Sequence, residues 1–512
     1  MKPTAFLLCA AALLPAFIAA GESKTNTAKP NILFILADDL GYGDVKCFNP
    51  EGKIPTPHLD RLATEGMRFT DAHSSSAVCT PTRYSILTGR YNWRSRLQSG
   101  VLSGYSPRLI ETNRLTVPEF LRQQGYATAG IGKWHLGMDW PRKGGGIVRA
   151  GHHTNVDYTL PIQGGPNAVG FDHFFGISAS LDMPPFTYIE NDRVTRVPTQ
   201  QKKWVRSGPA AEGFEAEEVL PTLTAKAVAY IGQRAADAKQ AKPFFLYLAL
   251  TSPHTPILPT KEWRGKSGLN DYADFVMQTD ASVGRVLAEL DNQGLVDNTL
   301  VVMTSDNGCA PAARIPELLA KGHNPSHTYR GNKADIFEGG HRIPLLVRWP
   351  HHVKAGATND QLVCLVDFFR TCADILDQKL PDTAAEDSFS LLPALEGRNE
   401  VPARETVVHH SINGSFAIRE GRWKLALCPD SGGWSEPRPG NTVKESAAVQ
   451  LYDLSRDSGE TENVAVKNPD VVRRLTATML KCVARGRSTP GPQQPNTGKV
   501  EIQRRAKPAT ED

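Results

Sequence analysis

Four stretches of the chain share one order of apolar and polar positions. Ile32-Leu33-Phe34-Ile35-Leu36 runs into Ala37-Asp38-Asp39-Leu40-Gly41, and Tyr126-Ala127-Thr128-Ala129-Gly130-Ile131 into Gly132-Lys133-Trp134-His135. Phe244-Phe245-Leu246-Tyr247-Leu248-Ala249-Leu250 leads into Thr251-Ser252-Pro253-His254, and Thr299-Leu300-Val301-Val302-Met303-Thr304 into Ser305-Asp306-Asn307-Gly308. Each run has strand length and ends in polar groups. Continuous apolar runs fit strands covered on both faces. Helical periodicity lies between them, at 220–235 and 272–290. This alternation predicts an α/β fold built on a large, mostly parallel central sheet. Such sheets bind ligands beyond the carboxyl ends of their strands, where these polar groups collect.

The pattern changes towards the C-terminus. Residues 29–380 read as one large domain, and 381–405, rich in Pro, Ala and acidic residues, as a loose connection. In 406–512, Thr406-Val407-Val408-His409-His410, Ser415-Phe416-Ala417-Ile418-Arg419 and Trp423-Lys424-Leu425-Ala426-Leu427 read as short antiparallel strands. Glu420-Gly421 makes a turn, 471–483 a closing helix, and the Pro-rich stretch from Gly486 a tail. The expectation is a smaller α+β domain with a short antiparallel sheet. Residues 1–21 combine Met1-Lys2, a short apolar run broken by Pro15, and small residues near the end. That is a secretory signal peptide, so a secreted or periplasmic protein is expected.

Charge narrows the partners. The 512 residues hold 58 basic and 54 acidic side chains, a net of +4, with no long basic run. This balance argues against nucleic-acid binding, and no later segment reads as a membrane span. Of eight cysteines, Cys9 leaves with the signal peptide, and the odd number remaining leaves at least one thiol unpaired. No CxxC pair exists, which disfavours a zinc knuckle. Cys364 and Cys372, placed in one helix, would be about 12 Å apart, too far to bridge.

The stretch Cys79-Thr80-Pro81-Thr82-Arg83 places a thiol at the mouth of a helix. Pro81 suits the first helical position with Thr80 as cap, and Gly89 suits the helix end. Free N–H groups and Arg83 then make an anion site beside Cys79. Asp38, Asp39, Asp306 and Asn307 add hard oxygen ligands at strand ends, a set suited to Ca²⁺ or Mg²⁺. Lys133 and His135 share one side if their segment is extended.

The C-x-P-x-R motif followed by Leu87-Thr88-Gly89-Arg90 resembles the signature of type I sulfatases. Ala37-Asp38-Asp39, Gly132-Lys133-Trp134-His135, Ser252-Pro253-His254, Ser305-Asp306-Asn307-Gly308, Arg330-Gly331-Asn332-Lys333 and Glu338-Gly339-Gly340 resemble further elements of that family, in order. The resemblance implies an alkaline-phosphatase-like sandwich, Ca²⁺ rather than Mg²⁺, and oxidation of Cys79 to formylglycine by a formylglycine-generating or radical sulfatase-maturating enzyme. A hydrated aldehyde offers two hydroxyls on one carbon: one attacks sulfur, and the other then loses its proton as sulfate is expelled. The resemblance gives Arg83 and Lys133 the role of stabilising that hydrate. His135 takes the proton, while His254 and Lys333 bind sulfate and His254 protonates the leaving oxygen. Asp182 and His409 are candidates for substrate contact. The implied substrate is a sulfated sugar, with 6-sulfated galactose or N-acetylgalactosamine preferred. Two alternatives stay open from the sequence, a phosphodiester or phosphonate hydrolase of the same superfamily and a non-catalytic binder of sulfated glycans.

Overall fold

The computed structural model describes residues 29–148, 155–398, 400, 402–441 and 447–503. The signal-peptide reading and Cys9 lie outside the described residues, as does His152-His153, an adjacent pair that could bind metal but more often arises by chance at a surface. The four apolar runs form the middle of a ten-stranded sheet. Thr299–Ser305, Asn31–Asp38, Phe244–Pro253 and Ala127–Lys133 are neighbours in that order, all parallel, and His173–Ile177 extends the parallel set. On one side Leu345–Arg348 pairs antiparallel with Thr299–Ser305 and with Met67–Phe69, and Ala357–Asn359 closes that edge parallel to Met67–Phe69; on the other side Ile189–Glu190 and Arg193–Val194 are added antiparallel.

Strand residues alternate between faces, and both faces are covered. Leu33 and Ile35 pack with Leu246, Leu248, Val301 and the helices Val219–Lys239 and Asp271–Asn292. Ile32, Phe34 and Leu36 pack on the opposite face with Phe245, Val302, Phe368 and the helix Cys79–Thr88. Neither face meets water, which is why the runs carry no polar alternation.

A separate four-stranded antiparallel sheet follows the order Thr406–His410, Phe416–Glu420, Trp423–Ala426, Gln450–Asp453. Its fourth strand was not evident in the sequence. The helix Pro469–Arg485 buries Val471, Leu475 and Met479 against Val407, Ile418 and Leu425. The segment 381–405 is not a loose connection. Asp387 is fully buried and accepts from Arg94 at 2.8 and 2.9 Å and from the Tyr91 N–H at 2.8 Å. The tail returns to the same place, with the Thr497 N–H on the Arg94 carbonyl at 2.7 Å. Cys364 and Cys372 do not share a helix. The first ends the strand Val363–Cys364 and the second lies in Phe368–Ile375.

A buried polar junction joins the small sheet to the large one. His73 Nε2 lies 2.8 Å from Asp71 Oδ1 and His73 Nδ1 lies 3.1 Å from His341 Nδ1. Lys424 Nζ donates to Glu338 at 3.1 Å and lies 3.0 Å from His341 Nε2. The His409 ring stacks on His341 with centroids 3.6 Å apart.

Candidate active site

The carboxyl ends of the four central strands bring their polar residues to one place. Asp38 and Lys133 are the last residues of their strands, His254 directly follows Phe244–Pro253, and Asp306 and Asn307 directly follow Thr299–Ser305. The helix that meets them starts two residues earlier than expected. Val78 is extended (φ −146°, ψ 158°), and Cys79, not Pro81, is the first helical residue. The reason is tertiary: the Ala77 N–H and the Ser76 hydroxyl donate to the His410 carbonyl at 2.9 and 2.8 Å, pinning the approach to the helix in an extended form. Thr80 makes no cap; its hydroxyl accepts from the Leu102 N–H at 3.2 Å. Gly89 ends the helix in the left-handed region (φ 63°), as expected. The 133–135 segment is not extended throughout, because His135 turns at φ 56°.

Buried charges are paired in a closed arrangement. Arg83, fully buried, donates to Asp306 Oδ2 at 2.8 and 3.1 Å and to the Lys133 carbonyl at 3.1 Å. Lys133 Nζ donates to both oxygens of Asp38 at 2.8 and 3.0 Å, and Lys333 Nζ donates to Asp39 at 2.8 Å. Three carboxylates thus face three permanent cations, which is how such charges are tolerated inside a protein. Burial pushes the Cys79 thiol up, but Lys133, Lys333 and a hydrogen bond from His254 outweigh it and hold the thiol at about 7. Burial and then repulsion from Asp38 push Asp306 up to about 7.

The two histidines are driven in opposite directions. Burial, then Lys133 and Arg83, hold His135 well below its ordinary value. Its Nε2 lies 2.6 Å from the Leu102 carbonyl, which only accepts, so Nε2 carries the hydrogen and Nδ1 is bare. Nδ1 is buried with no partner. His254 is opposed by burial and Lys333, yet Asp38 and Asp39 raise it to about 9. Its Nδ1 lies 2.6 Å from the Thr255 carbonyl, leaving Nε2 towards Asp39 at 3.6 Å. A neutral imidazole with a free lone pair and a protonated imidazole therefore share one site.

A cation also has candidate ligands here. Asp38, Asp39 and Asp306 offer oxygens within 4.8 Å of one another, all buried. Asn307 Nδ2 donates to Asp39 Oδ1 at 2.7 Å, while Asn307 Oδ1 is buried with no hydrogen-bond partner. An all-oxygen set with an unsatisfied amide oxygen fits a hard divalent cation.

Cys79, His135, His254, Lys333 and Asp39 open into a cavity of about 740 Å³. Asp182 lines it, is 7 % exposed and pairs with Arg206. His409 does not line it; it is fully buried in the polar junction. The sequence reading missed Trp434, which lines the same cavity. Its only trace was a lone aromatic residue in the small-residue run Ser431-Gly432-Gly433-Trp434-Ser435.

The sulfatase family pattern matches residues 30–378, which covers every strand end just described. The chain belongs to the type I sulfatase family. A second pattern, the C-terminal region of N-sulphoglucosamine sulphohydrolase, matches residues 328–436. The sulfatase is 35 % identical to the N-acetylgalactosamine-6-O-sulfatase of Bacteroides thetaiotaomicron, over 89 % of this chain and 93 % of the relative. It is 32 % identical to human arylsulfatase A, over 91 % and 90 % of the two chains. A B. thetaiotaomicron sulfatase structure from work on glycosaminoglycan metabolism superposes with a TM-score of 0.77 at 33 % identity, over 89 % of this chain and 99 % of the other. The protein is accordingly a sulfuric ester hydrolase with the alkaline-phosphatase-like fold.

Proposed function

We propose that this sulfatase releases sulfate from 6-sulfated N-acetylgalactosamine or galactose in glycans, using a formylglycine made from Cys79. The observation that carries the chemistry is the pair of opposed histidines beside Cys79 at a helix N-terminus. Acid and base groups of one reaction are recognised by environments that push them apart. The likeness to the N-acetylgalactosamine-6-O-sulfatase of B. thetaiotaomicron supports the sugar.

A formylglycine at position 79 would supply a hydrated carbonyl, whose two hydroxyls allow attack on sulfur and later elimination. The first turn of the Cys79–Thr88 helix and Arg83 favour negative charge there. Lys333 reaches the sulfate oxygens and offsets their charge. His254, whose Nδ1 is engaged by the Thr255 carbonyl and whose Nε2 is not, gives its Nε2 proton to the departing sugar oxygen. His135 accepts a proton at its bare Nδ1 during elimination. Asp38, Asp39, Asp306 and Asn307 would hold Ca²⁺, which takes flexible all-oxygen coordination more readily than Mg²⁺. Asp182, with Oδ1 unpartnered at the cavity wall, receives a sugar hydroxyl.

The reading includes export after loss of residues 1–21 and maturation of Cys79 by a formylglycine-generating or radical sulfatase-maturating enzyme. It also includes a catalytic unit at 29–380 and a C-terminal unit at 406–512 joined by 381–405. Sulfate release from a panel of defined sulfated sugars tests it. Turnover of 6-sulfated N-acetylgalactosamine or galactose above other positions is expected. Cleavage of phosphate diesters or phosphonates in preference to every sulfate ester overturns it, as does tight binding of sulfated glycans without turnover by the matured protein.

A further inference from the structure

The C-terminal unit contributes one aromatic side chain to the catalytic cavity. Trp434 lines it and packs on Val78, Ala334 and Ile412. Val78 precedes Cys79 and Ala334 follows Lys333, so the indole borders the two positions between which a sulfate would sit. Its loop is fixed in place. Asp335 accepts the N–H groups of Trp434 and Ser435 at 2.8 and 3.0 Å through one oxygen, and the Asn332 N–H at 2.8 Å and the Ser435 hydroxyl through the other. Gly433 lies so close that a Cβ there would come within 2.5 Å of the Ala334 backbone and of Asp335. One buried carboxylate therefore holds the Lys333 loop and the Trp434 loop together.

Trp434 is also unsatisfied. Its Nε1 is buried with no hydrogen-bond partner, although a buried indole N–H normally has one. Besides His135 Nδ1, two more polar atoms of cavity-lining residues are in the same condition, Ser180 Oγ and Asp182 Oδ1, in side chains 2 % and 7 % exposed. The rest of the lining mixes apolar side chains, Val101, Met183, Val205, Ile315 and Ile412, with polar ones such as Asn332 and Arg438. A rigid aromatic face beside apolar side chains, with a few unmet hydrogen bonds, suits a ligand that is apolar on its faces and hydroxylated at its edges.

We propose that Trp434 is a specificity-determining platform for the sugar ring, that it favours galacto over gluco configuration, and that Asp335 is its positioning residue. This rests on the sulfated-sugar reading above. A 6-sulfate is joined to its ring by one methylene, so a ring whose sulfate reaches Cys79 and Lys333 lies over the residues packed on Val78 and Ala334. In a galacto ring the axial 4-hydroxyl leaves the hydrogens of C3, C4 and C5 together on one face. That apolar patch stacks on an indole, whereas the equatorial 4-hydroxyl of a gluco ring breaks it. The ring edge then faces Ser180 and Asp182.

The test uses matured full-length enzyme with 6-sulfated N-acetylgalactosamine, 6-sulfated N-acetylglucosamine and 4-nitrocatechol sulfate. Trp434→Ala is expected to lower the galacto-to-gluco ratio of kcat/KM, and the ratio of galacto sugar to aryl sulfate, each by about tenfold, chiefly through KM, as expected for loss of a shaped apolar contact. Trp434→Phe keeps a ring face and retains most of both ratios. Asp335→Asn moves the ratios in the same direction as Trp434→Ala. Equal loss on all three substrates, or ratios that stay at the wild-type value, overturns the proposal while leaving the sugar reading intact. Wild-type enzyme that cleaves the aryl sulfate and neither sugar overturns both.

Discussion

At the scale of single residues, the site works by giving one side chain two characters. His135 is kept neutral by burial and by Lys133 and Arg83, with its hydrogen fixed on Nε2 by the Leu102 carbonyl. His254 is kept charged by Asp38 and Asp39. The assignment of His254 as the leaving-group acid has a direct consequence. A sugar alkoxide leaves poorly without a proton, while a nitrophenolate does not need one. His254→Asn should therefore lower kcat on a sulfated sugar by about a hundredfold or more, the usual worth of general acid catalysis. On 4-nitrophenyl sulfate the loss should be clearly smaller. Steady-state kinetics on both substrates check this, and equal losses would give His254 another role.

The functional residues were legible to the extent that they sit at strand ends or in a dense motif. Cys79, Arg83, Asp38, Asp306, His254 and their partners follow apolar runs or a restrictive spacing. Trp434 was not legible, because a loop anchored by Asp335, nearly a hundred residues earlier, leaves no local pattern. The Asp182–Arg206 pair was hidden for the same reason.

At the scale of elements, the helix Cys79–Thr88 shows tertiary structure overriding local preference. Thr80-Pro81 is a sound start signal, yet strand-like bonds from Ser76 and Ala77 to His410 fix the start at Cys79. The strand Ala127–Lys133 depends on close approach instead. Gly132 has φ 121°, and a Cβ there would lie 1.7 Å from the Ala249 carbonyl oxygen of the next strand. Gly132→Ala combines that clash with backbone strain and should cost about 3 kcal/mol or more. It should also displace Lys133 and reduce turnover. Urea unfolding midpoints and kcat together check this; a variant of wild-type stability would mean that the strands separate without penalty.

The edges of the large sheet were hard to read for a simple reason. Met67–Phe69, Ile189–Glu190 and Arg193–Val194 have two or three residues each, too few for any period to show. The strand Gln450–Asp453 has only four residues.

At the scale of the whole molecule, the two sheets meet through buried groups that must stay uncharged. Burial holds His73 below its ordinary value. Burial and neighbouring cations and histidines hold His341 and His409 well below it. They face Asp71, Glu338, Arg419 and Lys424. In the unfolded chain each histidine takes up a proton below about 6.5, whereas the folded protein resists it. Their contribution to stability is therefore complete above about pH 6.5 and falls as the pH drops, by up to about 1.4 kcal/mol per pH unit for each histidine. Thermal unfolding between pH 7.5 and 5, a range chosen to bracket that value, should show a falling Tm, with a shallower fall in His409→Asn. Asp306, pushed up to about 7, acts in the opposite sense in both proteins, so the difference between them is decisive: a Tm profile in His409→Asn as steep as in the wild type would contradict the reading.

The packing of the tail and of 381–405 belongs to this scale as well. Arg94 and Asp387, both fully buried, tie those segments to the region just after the catalytic helix. Composition alone made them look like a linker and a frayed end, because their order comes from single buried ion pairs rather than from apolar periodicity.

The central claim is that Cys79 is a precursor and not the working nucleophile. The most direct measurement is the mass of the peptide that contains Cys79, taken from protein exported by its own host. Conversion of the thiol to an aldehyde lowers that mass by about 18 units, or leaves it close to the starting value if the aldehyde is hydrated, the oxidation being at a single cysteine. The account predicts the aldehyde, verified by its reaction with a hydrazide reagent. An unmodified thiol in protein that still releases sulfate would contradict it.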